Sequence, residues 1–154
     1  MSTLHLEIVT IERKIFDDQV AMVIAPGSEG VLGILPRHTP LLTALTFGEL
    51  QIKKDDQEDQ YLAIGGGFME VQPHHVVVLA DSAESVEQID IERAEAARRR
   101  AQELLEQAAK DEEIDFTRAE AALRRSITRI KVAQRRRRPG RGSGTSSTPG
   151  NGST

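Results

Sequence analysis

Up to about residue 82 the chain repeats every two positions. "LHLEIV" (4–9) alternates apolar and polar side chains, and "VAMVIA" (20–25) and "HVVVLA" (75–80) are short β-branched runs. Turn residues interrupt about every eight to twelve positions, which predicts a compact antiparallel sandwich or barrel. "PGSEG" (26–30) reads as a tight turn, with Pro presetting φ and Gly accepting positive φ. "KKDDQEDQ" (53–60) reads as a solvated hairpin tip between "ELQI" and "YLAI". "GGG" (65–67) falls inside a strand-like stretch, where glycine marks a bulge or a close backbone approach.

After "SAESVEQ" (82–88) the period becomes helical. Ala94, Ala97, Ala101, Leu104, Leu105 and Ala108 form one apolar stripe; Ala119, Leu123, Ile127, Ile130 and Ala133 form another. Asp90 and Asp115 stand where N-caps belong, each offering a carboxylate to first-turn N–H groups. "IDIERAEAA" (89–97) accordingly returns as "IDFTRAEAA" (114–122), with seven of nine letters identical. Only "AKDEEI" lies between the two patterns, so the helices must fold back on each other. Alanine-rich stripes let the backbones approach closely but bury little apolar area, so this pair is marginal alone. The expected fold is an all-β N-terminal sandwich (1–86) followed by a C-terminal antiparallel α-helical hairpin (87–134), two small domains. From Arg135 to residue 154 the chain offers no apolar residue and reads as a basic, Gly/Ser-rich disordered tail.

Composition sharpens this picture. With 38% apolar and 29% charged residues, the chain is of soluble type. "MSTLHLEIVT" lacks the continuous apolar run of a signal peptide, and "VVVLA" is too short to cross a bilayer, which together predict a cytoplasmic-type chain. The absence of cysteine excludes disulfides and thiol catalysis. The net charge of −4 hides an asymmetry: residues 1–88 carry five Lys/Arg against fourteen Asp/Glu, and residues 89–154 carry fifteen against ten. The first part is thus net −9, which disfavours nucleic acid, and the second net +5, which invites an anionic partner.

Few residues suggest catalysis. Gly27, Gly30 and Gly33 lack the Lys-Ser/Thr of a phosphate loop and read as turn glycines. His74 and His75 are adjacent on a strand, point to opposite faces and cannot easily share a metal. His38 reads as a loop contact residue. No nucleophile or metal-ligand motif is present, so no catalytic and no metal residues are assigned. The arginines say more. At helical spacing Arg98 and Arg99 have Glu95, Arg124 has Glu120, Arg118 has Asp115 and Arg93 has Asp90, whereas Arg125 and Arg129 have no local carboxylate. Their i, i+4 spacing admits two readings: a solvated surface, or a clamp for a phosphate or carboxylate from a ligand or an acidic partner. If the hairpin folds against the sandwich, Arg93, Arg125 and Arg129 could converge on phosphates while Asp90, at a helix start, accepts from a ribose or base. "RRRRPGR" (135–141) offers a rival function, an electrostatic arm for nucleic acid. The acidic sandwich and the short supply of stacking aromatics, Phe16, Phe47, Tyr61, Phe68 and Phe116, weigh against it. A membrane-surface role for the same arginines lacks a second anchoring signal.

Taken in order, "GVLGILPRHTPLLTAL" (30–45), "GGGFMEV" (65–71), "VVVLAD" (76–81) and "IDIERA" (89–94) resemble the epsilon subunit of bacterial F-type ATP synthase over about residues 1–134. The resemblance implies the same sandwich and hairpin. It also implies a non-catalytic rotor subunit in the central stalk, at the cytoplasmic face of the plasma membrane, that couples proton flow to ATP synthesis. The gamma subunit would hold it, the c-subunit ring would meet the loop around Glu29 to His38, and the alpha and beta catalytic subunits would meet the extended hairpin, with no nucleic acid involved. The family's nucleotide motif, Ile/Leu-Asp-x-x-Arg-Ala, is matched by Ile89, Asp90, Arg93 and Ala94. Its two further arginines fall on Arg125 and Arg129 and a supporting glutamate on Glu84, implying ATP as a regulatory ligand without a required metal. Family hairpins fold down with ATP or open to block hydrolysis. Arg37 departs from the pattern, standing where the family often has glycine before the loop histidine.

Overall fold

The computed structural model describes residues 2–111 and 113–135. Eight strands come first: β1 (Leu4–Val9), β2 (Lys14–Val20), β3 (Met22–Gly27), β4 (Gly30–Ile34), β5 (Leu41–Lys53), β6 (Gln60–Val71), β7 (His75–Ala80) and β8 (Ala83–Ser85). A single 3-10 turn, Val86–Gln88, then leads into α1 (Ile91–Ala108) and α2 (Phe116–Gln134). No helix among the described residues is long and apolar enough to cross a membrane.

The strands hydrogen-bond in the order β2-β1-β7-β6-β5-β3-β4, with β8 added on β6. Alternation does what the sequence predicts: Leu4, Leu6 and Ile8 point into the core from β1, and Val76, Val78 and Ala80 from β7. Burying each of the larger of these side chains contributes about 1.5–3 kcal/mol. One pairing departs from the antiparallel expectation. β1 and β7 run parallel, with His5 beside His75 and Ile8 beside Val78, so the first strand is inserted next to one nearly seventy residues later. The long β5–β6 hairpin links the layers: Leu62–Ile64 of β6 pair with β8, whereas Gly67–Val71 pair with β7. Its tip is the expected polar one, with Asp56 at φ 59°.

The three glycines sit where β6 changes neighbours. Their register against β5 is unbroken, so they mark a close approach, not a bulge. A Cβ on Gly67 would overlap the Leu79 carbonyl oxygen, and its φ of 124° already favours glycine. At "PGSEG" the pair Gly27–Gly30 closes a turn over Ser28 and Glu29, so Pro26 lies in β3 and does not preset the turn. Gly33 is likewise a strand residue of β4. Arg37 explains the glycine of the family pattern: its φ is 65°, and its N–H donates to the Pro73 carbonyl at 2.7 Å, tying the loop to the β6–β7 turn.

Both helix starts form as predicted, because capping is local: Asp90 accepts from the Arg93 N–H and Asp115 from the Arg118 N–H, each at 3.2 Å. The stripes are only partly as expected. Ala94, Ala101, Ala119, Ile130 and Ala133 are buried, but Leu104 and Ile127 are exposed, and Ser126 and Val132 are buried instead. Ser126 and Val132 are buried because α2 must satisfy two surfaces, α1 on one side and β5 and β6 on the other, so its buried face is wider than one stripe. Ser126 is accommodated because its hydroxyl donates to the Ala122 carbonyl at 2.9 Å.

Candidate functional site

The candidate site lies where the hairpin meets the sandwich. Pairing of Ala63 with Glu84 brings β8 to the edge of β6, and the chain then turns through Val86–Gln88 into α1. Val86, Ile89, Ala63, Val132 and Ala133 close a small apolar cluster there, separate from the main core, with Tyr61 and Ile91 packed against it. Ile89 and Ala94 are therefore buried packing residues that fix the start of α1, and Asp90 caps it.

Across this cluster Arg129 reaches Glu84. Nε donates to Oε2 at 2.7 Å and Nη2 to Oε1 at 2.9 Å, a bidentate pair with each side chain about one-third exposed. The expectation that Arg129 has no carboxylate partner on its own helix holds, and tertiary folding supplies one in Glu84. Arg125, one turn earlier, is exposed and lies over the Phe47 ring, its guanidinium carbon 5.6 Å from the centroid. No ion pair to Arg125 occurs among the described residues. Of the five arginines expected to find carboxylates on their own helix, only Arg124 does so among the described residues, pairing with Glu120 at 2.8 Å. Arg93 and Arg118 use their backbone N–H groups towards the capping aspartates, and Arg98 and Arg99 form no ion pair with Glu95.

Of the residues singled out in sequence, Glu84 and Arg129 are in contact, and Arg125 shares a helix face with Arg129. Among the described residues, no hydrogen bond joins the side chains of Asp90 or Arg93 to Arg125 or Arg129. The chemistry available is anion binding. Arg125 presents an unshared fork, while an anion at Arg129 must share or displace Glu84.

Sequence reasoning missed a second clamp. Arg135, assigned to the tail, caps α2 and donates to Glu49 through Nε at 3.1 Å and Nη2 at 2.8 Å. Its guanidinium also lies 4.5 Å from the Tyr61 ring centroid. Hydrogen bonding to Glu49 raises the Arg135 pKa above its ordinary value against the opposing effect of burial. No local signal could have found it, because Glu49 is 86 residues away. The rest of the basic tail, residues 136–154, lies outside the described residues, as does most of "RRRRPGR".

Comparison with known proteins bears on this arrangement. Residues 3–86 match the family profile "ATP synthase, Delta/Epsilon chain, beta-sandwich domain", and residues 87–134 match "ATP synthase, Delta/Epsilon chain, long alpha-helix domain". The chain is 55% identical over 131 residues to the ATP synthase epsilon chain of Pelotomaculum thermopropionicum, covering 85% of this chain and 96% of that one. It is 49% identical over 139 residues to that of Dehalococcoides mccartyi, covering 90% and 97%. A chain of the Euglena gracilis mitochondrial ATP synthase, seen with OSCP, F1 and c-ring, has the same fold at a TM-score of 0.74, with 23% identity, 83% of this chain and 79% of that one covered. With both parts matched in order and about half the residues shared with full-length relatives, the chain belongs to the epsilon-chain family of F-type ATP synthase.

Proposed function

We propose that the chain acts as a non-catalytic rotor subunit in the central stalk of a proton-translocating ATP synthase, at the cytoplasmic face of a bacterial plasma membrane. In this role it couples proton flow to ATP synthesis, and its hairpin senses ATP and restrains hydrolysis. The observation that carries this reading is the way the hairpin is attached. Only α2 packs extensively on the sandwich, through one small cluster and two part-buried ion-pair clamps, while α1 packs on α2. Such a dock is strong enough to hold and weak enough to release, as a switch requires.

In the proposed ATP-bound form Arg125 and Arg129 hold phosphate, with Arg93 beside them, and Asp90 accepts from the nucleoside. Ile89 and Ala94 shape the helix start, and Glu84 orients Arg129. The sandwich provides the docking surfaces. Leu42, Phe68 and Leu79 are exposed on neighbouring strands, with Phe68 directly opposite Leu79, and we assign this apolar patch to the gamma subunit. Val31 and Leu35, 75% and 55% exposed within the Glu29–His38 segment, suit the c-subunit ring. The released hairpin, rich in arginine, suits acidic surfaces of the alpha and beta subunits.

Reconstituting the complex with a chain truncated after Ser85 tests the division of labour. Proton-driven synthesis is expected to persist while ATP hydrolysis rises. Failure of the complex to assemble would make the hairpin structural and overturn its regulatory role.

A further inference from the structure

A second cluster of chemistry-bearing side chains lies on the outer face of β7, β1 and β2, at the end of β7 opposite to Leu79. On β1, His5 and Glu7 are two apart and share the face opposite to Leu4, Leu6 and Ile8. The parallel register sets His75 of β7 beside His5, and the antiparallel register sets Asp17 of β2 beside Glu7. The imidazole centroids of His5 and His75 are 5.3 Å apart. His75 Nε2 is 3.1 Å from Glu7 Oε2, and His5 Nε2 is 2.6 Å from Asp17 Oδ1. One ligand atom from each of His5, Glu7 and His75 falls within 4.8 Å of the others.

From this geometry we infer a surface site for a divalent transition metal ion of the zinc type, with His5, Glu7 and His75 as ligands and Asp17 at its edge. Two imidazoles and a carboxylate are the donor set that zinc, cobalt(II) and nickel(II) prefer, whereas magnesium and calcium prefer oxygen alone. A tetrahedral ion at about 2.1 Å from each donor places the donors about 3.4 Å apart, so side-chain rotations close the site without moving the strands. Gln19 Nε2 stands 3.1 Å from His5 Nδ1 as a donor; turning the Gln19 amide over presents its oxygen, which then accepts from Nδ1–H and leaves Nε2 free to ligate. The present cation is Lys14, whose ammonium donates to Glu7 at 3.0 Å and Asp17 at 2.8 Å. Its side chain is 50% exposed and can leave for solvent without uncovering the core. Lys14 is therefore the competitor of the metal and the residue that sets how weakly the site binds.

Titration of the full chain with Zn2+, followed by calorimetry, tests this, with Co2+ absorption as a second probe of imidazole coordination. One saturable equivalent per chain is expected. His5→Ala, His75→Ala or Glu7→Gln should weaken it by about 10–100-fold or more, by analogy with the loss caused by even an outer partner. His74→Ala should leave it unchanged, and Lys14→Gln should tighten it. These are surface side chains, and an unaltered far-ultraviolet circular dichroism spectrum confirms the fold of each variant. Absence of a saturable equivalent, or binding that survives the loss of both His5 and His75, would overturn the site.

Discussion

Arg129 and Glu84 form a two-pronged ion pair between residues 45 positions apart, closing the second helix onto the last strand of the sandwich. This pair separates the two arginines that sequence spacing treats alike. Arg129→Ala should lower ligand-free stability by about 1 kcal/mol, the upper range for a partly exposed pair. Arg125→Ala should cost about half that, through its contact with Phe47. Both should abolish most of the ATP-dependent rise in melting temperature. A thermal-shift titration on the two variants distinguishes these effects. Wild-type protein without any shift at millimolar ATP would leave Arg125 as a docking residue for acidic neighbours.

The clamp at the far end of α2 should be worth more. The Glu49 side chain is only 12% exposed, so Arg135→Ala leaves a largely desolvated carboxylate without its partner. A loss of about 1–3 kcal/mol is expected, measured by urea unfolding. Truncation after Arg135 should be nearly neutral, whereas truncation after Gln134 should reproduce the loss.

Backbone conformation gives a stabilising change. Arg37 occupies the left-handed region at φ 65°, where a side chain costs roughly 1–2 kcal/mol and glycine does not. Arg37→Gly should therefore raise stability by about 1 kcal/mol in the same unfolding assay, after allowing for the greater freedom of glycine in the unfolded chain.

The opposite result is expected at the crossing of the layers. Gly67→Ala drives a methyl into the Leu79 carbonyl and should cost about 3 kcal/mol or more. At Gly30, whose φ is 137° but whose surroundings are open, the same change should cost about 1 kcal/mol. Comparing the two separates steric overlap from backbone strain.

These positions show what a sequence discloses. Asp90 and Asp115 were readable as caps because the groups they satisfy lie three residues away. The strand alternation of Leu4, Leu6 and Ile8 was readable for the same reason. Partners of Arg135 and His5 were not, since each depends on long-range packing, and Glu84 came only through the family resemblance. The burial of Ser126 and Val132 is not legible, because a period identifies an apolar stripe but not the second surface that widens it. The arginine pair stands out through what it lacks locally, and the structure agrees: neither residue has a carboxylate partner on its own helix, and Glu84 completes Arg129 from another element.

The parallel seam between β1 and β7 also governs when the molecule can fold. β2 can pair with β1 soon after both emerge from the ribosome, but His75 must follow before the other edge of β1 is filled. At about 5–20 residues per second, the interval is several seconds. During it the unfilled edge of β1 offers its backbone to any other strand. Non-local closure of this kind slows folding, since the loop entropy is lost before contacts repay it. The sandwich should therefore fold late and in one step, when Val76 and Val78 arrive beside Leu6 and Ile8.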